Sequence, residues 1–224
     1  MIFMTGLSGG MTFPLFQNAE EYFSKLQCSV LRFNFCREEN DERHPKNEIE
    51  LNKYHFNLYI AELHNLLEKV PAKFDKIVFV GHSFGAIITS LFLEKFPKYK
   101  KVSRCVFWEP SNLPWSKKVM KNVYDFDEDT GLYKDRESAE SINPTFFKEV
   151  TTVNSINLFK KIWIDACIIC ASGSQDKFGK KYFSNTKNKS KSLYHVIENT
   201  DHSFGGNKVQ NELFKVTQKW LMMK

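Results

Sequence analysis

Short apolar runs alternate with amphipathic segments along the chain, and this alternation limits the possible fold more than any other feature. Residues 77–80, Ile-Val-Phe-Val, form a β-branched and aromatic run with no polar side, which is typical of a strand buried on both faces. Between such runs, apolar residues recur at helical spacing. Strands separated by helices of about ten or more residues predict an α/β fold, with a mainly parallel sheet and helices on both faces.

The predicted elements cover most of the 224 residues. We expect strands at 2–5, 29–35, 77–80, 105–108, 166–171 and 193–197, and helices at 13–26, 56–70, 86–96 and 208–223. The interval 111–161 interrupts the alternation with an acidic stretch and a Phe-rich helix. We therefore expect a single domain over 1–224 with a small cap inserted near 112–160.

Composition excludes several classes of function. The net charge of +6 comes mostly from lysine, and arginine, the usual reader of bases and phosphates, is scarce, so a nucleic-acid role is not expected. No apolar run approaches the roughly 18 residues of a membrane span, and the first residues do not resemble a signal peptide. The default location is the cytoplasm.

The cysteines indicate core thiols rather than a redox or metal site. Their number, 5, is odd, and they are scattered along the chain, unlike a disulfide framework. Cys167 and Cys170 match C-x-x-C, but they lie within an apolar run, and residues three apart on a strand point to opposite faces. We expect no metal and no cofactor.

The strongest chemical signal is the segment Gly-His-Ser-Phe-Gly at 81–85. It is G-x-S-x-G, and it lies between a predicted buried strand and a predicted buried helix. A serine on such a strand-to-helix turn projects above the sheet edge, and side chains at the two glycine positions would clash with the tight turn. Ser83 also begins a helix, where the dipole favours negative charge. The sequence therefore predicts Ser83 as a nucleophile.

A serine nucleophile needs a base, and His202 is the best candidate among the 6 histidines. It lies in a polar loop between the last predicted strand and the last helix, and that loop opens at the same sheet edge as Ser83. His82 lies inside the turn and should point away from the nucleophile. His195 is on a predicted strand, which favours a packing role.

The base needs a carboxylate to orient it, and three candidates remain. Asp176 follows the strand that ends at Ala171 and is preferred, although it also suits a helix cap. Glu109 follows the strand at 105–108. Asp201 is adjacent to His202 in sequence and is the weakest candidate, because neighbouring side chains seldom reach the far ring nitrogen.

An oxyanion hole should complete the site. One donor is expected to be the backbone N–H of Phe84. The other should come from the glycine-containing loop after the first strand, residues 5–10, with Leu7 preferred and Ser8 second.

These residues resemble the α/β-hydrolase family in the order Ser83, Asp176, His202, in the strand–serine–helix turn and in the glycine loop. The resemblance implies a three-layer α/β sandwich and hydrolysis of esters, thioesters or amides through an acyl-enzyme. The loop reads Thr5-Gly6 where many members have His-Gly. The first strand leads directly into this loop, which implies a core shortened at its N-terminus to about six strands.

The sequence thus predicts a serine esterase acting on a small-molecule carboxylic ester or thioester, with an aromatic-rich cap suited to an apolar acyl chain. The alternatives are a peptidase or amidase of the same fold and a ligand-binding protein without catalysis. Six lysines between 177 and 191 could attract anionic substrates, but a solvated surface is the simpler interpretation. The oligomeric state is not predicted by any of these patterns.

Overall fold

A computed structural model describes residues 1–7, 10–35, 53–74, 76–97, 99–137 and 141–223 of the protein. In that part of the chain, six strands form one sheet, and every neighbouring pair is parallel. Their order across the sheet is Leu31–Arg32, Ile2–Met4, Ile77–His82, Val102–Trp108, Asp165–Ala171 and Leu193–Ile197. The predicted parallel sheet of about six strands is therefore confirmed.

Strands and helices alternate along most of the chain. The strands are β1 (Ile2–Met4), β2 (Leu31–Arg32), β3 (Ile77–His82), β4 (Val102–Trp108), β5 (Tyr124–Asp127), β6 (Leu132–Asp135), β7 (Ser141–Ile142), β8 (Asp165–Ala171) and β9 (Leu193–Ile197). The helices are α1 (Pro14–Lys25), α2 (Phe56–Lys69), α3 (Phe84–Lys95), α4 (Lys117–Val123), α5 (Pro144–Thr152), α6 (Ser155–Phe159), α7 (Asp176–Asn185) and α8 (Asn207–Leu221).

The predicted elements are present, with one clear difference in length. The strand expected at 29–35 is reduced to the two residues of β2. Among the described residues it lies at the sheet edge and pairs only with the short β1, in the register Ile2↔Leu31 and Phe3↔Arg32. An edge strand has no second neighbour to hold it extended, so its length follows that of its single partner.

The sheet separates two apolar cores. Residues of α1 and α8 cover one face, and residues of α2, α3 and α7 cover the other. Cys167 and Cys170 of β8 are both fully buried, one in each core. They lie on opposite faces of the strand, as their spacing predicts, and burial raises the pKa of both thiols far above the ordinary value.

The interval predicted as a cap carries its own small sheet, which the sequence did not predict. Strands β5, β6 and β7 pair antiparallel, apart from the main sheet, and α4, α5 and α6 flank them. Two of its phenylalanines make stacked ring contacts: Phe147 stacks on Tyr133 at 4.0 Å and Phe159 stacks on Tyr182 at 4.2 Å between ring centroids.

The order in which the strands are added to the sheet changes direction at β1: β2 lies on one side of β1, and β3 lies on the other side. β1 and β3 are therefore neighbours, although β2 and α2 separate them in sequence. At such a reversal the loops that leave the two strands diverge and open a crevice at the carboxyl edge of the sheet. The loop after β1 begins at Thr5, and the turn after β3 contains Ser83. The topology therefore places both segments at the position where α/β sheets bind ligands.

Among the helices of the described residues, none has the length and apolarity needed to cross a membrane. The cytoplasmic location stays a prediction of the sequence.

Candidate active site

Ser83 occupies the strained turn that the glycine pattern predicts. Its backbone has φ 53° and ψ −117°, in the region that favours glycine, and the last residue of β3 and the first of α3 flank it directly. A Cβ on Gly81 would lie 2.7 Å from the backbone nitrogen of Ala86, and one on Gly85 would collide with the carbonyl oxygens of Met4 and Thr5. Both glycines therefore allow the close approach that holds the serine in this conformation.

The side chain of His202 contacts that of Ser83, although the two residues lie 119 positions apart in the sequence. Its Nε2 lies 2.8 Å from the Ser83 Oγ, within hydrogen-bonding distance. The histidine sits in the loop between β9 and α8, and its side chain is partly exposed. The structure thus brings the predicted nucleophile and the predicted base together.

The carboxylate beside His202 belongs to Glu109. Its Oε1 lies 3.7 Å from the His202 Nδ1, on the side of the ring away from Ser83. Glu109 directly follows β4 and is fully buried. The backbone N–H of Ala171 donates to Oε2 at 2.5 Å, and that of Gln175 donates to Oε1 at 2.8 Å. The carboxylate is therefore fixed by the backbone of β8 and of the turn that follows it.

Burial alone would raise the pKa of Glu109. The neighbouring His202 and Ser174 side chains, and the hydrogen bonds from the two backbone N–H groups, outweigh that effect and hold the pKa of Glu109 below its ordinary value. The group is therefore an anion at neutral pH, buried beside an imidazole.

The structure does not bring Asp176, the preferred carboxylate of the sequence analysis, to His202. Asp176 begins α7, its backbone carbonyl accepts a hydrogen bond from the Tyr194 hydroxyl at 2.8 Å, and within the described residues no hydrogen bond or ion pair joins it to His202. A carboxylate in the first turn of a helix is stabilised by the helix dipole. The N-cap position of α7 is occupied by Gln175, so Asp176 is the first residue of the helix and not its cap. The Asp201 side chain accepts a hydrogen bond from the backbone N–H of Ser203 at 3.0 Å, within its own loop.

A second serine adjoins the first, and no sequence pattern indicates it. The Ser111 Oγ lies 3.1 Å from the Ser83 Oγ. The two residues also bond through the backbone, because the Ser111 N–H donates to the Ser83 carbonyl at 3.2 Å. Ser111 lies two residues after Glu109, so one short segment supplies both the buried carboxylate and this hydroxyl.

His82 supports the loop that carries His202. Its Nε2 lies 2.9 Å from the His202 backbone carbonyl, which is an acceptor, so His82 is the donor. Burial is the main cause that lowers its pKa, to about 4, and His82 is therefore neutral at pH 7. The side chain avoids the nucleophile, as predicted, and binds the backbone of the base instead.

The loop after β1 approaches Ser83 closely at Gly6. A Cβ on Gly6 would lie 3.1 Å from the Ser83 Cβ, so only glycine fits without displacement. Leu7 follows and is half-buried, while Phe84 begins α3 with its ring buried. Ser8, the second choice for an oxyanion donor, lies outside the described residues. The oxyanion roles of Leu7 and Phe84 stay predictions.

A cavity of about 550 Å³ opens above the serine–histidine pair. Its lining is mixed rather than apolar. The aromatic contribution comes from Trp115 and Phe178, and the polar contribution comes from Ser83, Ser111, Asn112, Ser174, Gln175 and His202. Three phenylalanines of the 112–160 interval, Phe146, Phe147 and Phe159, pack into the core, while Phe126 is exposed on the surface. Trp115 is the aromatic side chain that this interval contributes to the cavity lining, and the apolar acyl chain stays a prediction of the sequence.

Two further features bear on the chemistry. In the described parts of the chain, no group of three or more His, Cys, Asp or Glu side chains could hold a metal ion. The lysines at 177, 180, 181, 187, 189 and 191 are all exposed, which agrees with a solvated surface.

No protein-family model and no curated protein sequence matches the chain. Solved structures do match its fold. Est1E from Butyrivibrio proteoclasticus, with ferulic acid bound, has a TM-score of 0.74 at 10% identity, covering 99% of this chain and 89% of that one. A monoacylglycerol lipase from Paleococcus ferrophilus has a TM-score of 0.70 at 12% identity, covering 98% and 92%.

A methylesterase from Arabidopsis has a TM-score of 0.66 at 15% identity, covering 98% of this chain and 97% of its own. At these identities the similarity is one of fold. The parallel six-stranded sheet, the helices on its two faces and these matches together show that the chain has the α/β-hydrolase fold.

Proposed function

We propose that the protein is a serine hydrolase that cleaves carboxylic esters or thioesters through an acyl-enzyme, with Ser83, His202 and Glu109 as its catalytic residues. The observation that carries this proposal is the 2.8 Å contact between the Ser83 Oγ and the His202 Nε2. A strained turn projects the serine, and a separate loop supplies the imidazole. This is the nucleophile–base pair that acyl transfer requires.

The tautomer of His202 follows from its two neighbours. A carboxylate 3.7 Å from Nδ1 favours a proton on that nitrogen, so Nε2 is left as the acceptor for the Ser83 hydroxyl. As Ser83 attacks the carbonyl carbon, its proton moves to Nε2. The imidazolium that forms is stabilised by Glu109, whose hydrogen bonds keep it ionised.

The carbonyl π electrons move to oxygen when the Oγ–carbon bond forms, and the resulting oxyanion needs donors. We propose the backbone N–H groups of Phe84 and Leu7. Phe84 is the first residue of α3, so its N–H belongs to a helix N-terminus, and Leu7 follows the glycine that adjoins Ser83. His202 then protonates the leaving alkoxide or thiolate. Water, deprotonated by His202, releases the acid by the reverse sequence.

The cavity lining indicates a substrate of small to medium size with polar substituents. A volume of about 550 Å³ lies within the usual range for small-molecule sites, about 300–1,000 Å³. Trp115 and Phe178 offer flat apolar surfaces, while Asn112 and Gln175 offer amides.

We further propose that residues 1–224 act as one domain, with the interval near 112–160 as a cap beside this cavity. Trp115 lies within that interval and lines the cavity, and so does Asn112 at its start. A solved structure of the same fold holds ferulic acid, an aromatic acid with polar substituents, which agrees with a lining of mixed character.

The experiment that tests the function combines covalent labelling with turnover. The protein is treated with a fluorophosphonate probe, and the labelled residue is identified by mass spectrometry. Initial rates are measured on p-nitrophenyl esters with short and medium acyl chains, on matched thioesters and on aminoacyl p-nitroanilides. Labelling of Ser83 with ester or thioester turnover is the expected result.

Other outcomes separate the alternatives. Preferential cleavage of the anilides would identify a peptidase or amidase. Absence of any adduct on Ser83 in folded protein would favour a ligand-binding protein without catalysis.

A further inference from the structure

We propose that Ser111 is a further catalytic residue, whose hydroxyl donates a hydrogen bond to the Ser83 Oγ and stabilises the negative charge that develops there during attack. This inference rests on the proposed function. The observation is the 3.1 Å separation of the two Oγ atoms, with both side chains lining the same cavity. The hydroxyl therefore touches the reacting atom itself.

The position of Ser111 is fixed by its backbone and not by the nucleophile's side chain. Its N–H donates to the Ser83 carbonyl at 3.2 Å, and its carbonyl accepts from the buried Tyr182 hydroxyl at 3.1 Å. The residue is only 7% exposed. The main chain thus holds the hydroxyl beside Ser83 before any substrate arrives, which is the preorganisation that electrostatic catalysis needs.

The number of available protons decides the direction of the hydrogen bond. The Ser83 hydroxyl has one proton, and the His202 Nε2 at 2.8 Å is its acceptor when Nδ1 carries the ring proton beside Glu109. The lone pairs of the Ser83 Oγ remain free to accept. The Ser111 hydroxyl is then the donor in the 3.1 Å contact, and the nucleophile both donates to the base and accepts from its neighbour.

This arrangement matters most during proton transfer. As the proton leaves Ser83 for His202, negative charge grows on the Oγ, and a hydrogen bond to a charged oxygen is about twice as strong as one to a neutral oxygen. When the Oγ–carbon bond is complete, that charge has moved to the carbonyl oxygen, so the gain is confined to the path toward the transition state. Interactions of this kind raise the rate of the chemical step rather than substrate binding.

The test measures attack by Ser83 in isolation. The second-order rate constant for phosphonylation by a fluorophosphonate is determined for the wild type, Ser111→Ala, Ser111→Thr and Ser103→Ala, together with kcat and KM on the best ester. Ser103 is a matched control, because its hydroxyl donates to the Ile77 carbonyl at the opposite end of β4. Melting temperatures report the fold of each variant.

We expect Ser111→Ala to lower the phosphonylation rate constant and kcat by about tenfold to a hundredfold, the value of one hydrogen bond to a charged group, with KM little changed. Ser111→Thr restores the hydroxyl and should recover most of the rate, and Ser103→Ala should match the wild type.

Several outcomes would overturn the inference. A Ser111→Ala protein that reacts at the wild-type rate leaves the proposed function intact but removes Ser111 from catalysis. If Ser111→Ala is unstable and slow, the threonine variant decides: a well-folded Ser111→Thr that stays slow assigns Ser111 a structural role. A wild type that neither labels nor hydrolyses any ester overturns the proposed function as well.

Discussion

The carboxylate of Glu109 lies 3.7 Å from the Nδ1 of His202, although the whole 112–160 interval and strands β8 and β9 separate the two residues in sequence. Glu109 directly follows β4, and β4 is the neighbour of β3, the strand that precedes Ser83. The Oε atoms of Glu109 accept hydrogen bonds from backbone N–H groups of β8 and of the turn after it. The turn after β8, which leads to Asp176, therefore helps to hold the Glu109 carboxylate, which follows another strand. Asp176 lies just after that turn, as the first residue of α7.

Exchange of the two carboxylates for amides separates their roles. We expect Glu109→Gln to lower kcat by about a thousandfold or more, because an amide gives the His202 ring no negative charge and can favour the wrong tautomer. Asp176→Asn should retain most of the wild-type kcat and lose at most about 1 kcal/mol of stability through the weaker helix-dipole interaction. Steady-state kinetics on one ester, with chemical denaturation of each variant, provides both quantities.

The order of damage is the decisive comparison. If Asp176→Asn were the more damaging change at equal stability, the assignment made from the geometry would be wrong. Since the amide introduced by Glu109→Gln would place an NH₂ group against backbone N–H donors, this variant should also be less stable, and activity is compared per folded molecule.

Removal of the nucleophile should abolish turnover without loss of the fold. We expect Ser83→Ala to reduce ester hydrolysis by at least about ten-thousandfold, to the level of background, and to eliminate fluorophosphonate labelling. The side chain lines the cavity rather than the apolar core, so circular dichroism and the melting temperature should match the wild type. Retention of substantial turnover by a protein free of wild-type contamination would count against Ser83.

The sheet, its helices and the serine–histidine pair could be predicted because local patterns determine them. Continuous apolar runs identify strands buried on both faces, and G-x-S-x-G between a strand and a helix requires the strained turn that Ser83 adopts. His202 could be predicted because a polar loop after the last strand opens at the same edge.

The positions of Glu109, the proposed acid, and of Ser111 were not predictable to the same degree, because they depend on contacts between strands distant in sequence. Glu109 and Asp176 both follow strands whose ends reach the active-site edge, and only the three-dimensional path decides which carboxylate faces His202. Glu109 has φ 48°, a backbone conformation that a sequence pattern without glycine does not suggest. Ser111 carries no motif, and its proximity to Ser83 follows from the pairing of β3 with β4.

A fall in pH should lower the free energy of unfolding, because His82 is buried in its neutral form and resists protonation in the folded protein. Its folded-state pKa of about 4 lies below the ordinary 6.5, so the unfolded chain binds this proton more readily. The contribution to stability is complete above about pH 6.5 and is lost progressively as pH falls toward 4, by about 3 kcal/mol in total. Free energies of unfolding from urea titrations across this pH range would reveal the slope.

His82→Gln is the matched comparison, because its amide can still donate to the His202 carbonyl and has no titrating group. All other titratable side chains are the same in the two proteins, so the difference between the two stability curves isolates the contribution of His82. We expect the wild type to lose more stability than the variant over this range. Parallel curves would mean that His82 titrates normally in the folded protein.

Gly85 should be the glycine of the turn least able to accept a side chain. Its ideal Cβ would collide with two backbone carbonyl oxygens at the end of β1, and a sheet strand has little freedom to withdraw. We therefore expect Gly85→Ala to lower the free energy of unfolding by about 2 kcal/mol or more, with loss of activity as β1 and α3 separate. Gly205→Ala is the control, because the nearest heavy atoms to its Cβ are 3.9 Å away, and its stability should change by less than about 0.5 kcal/mol. Equal stability of the two variants in urea denaturation would show that α3 can move away from β1 at little cost, and the close packing under Ser83 would then not be what holds the serine in its strained conformation.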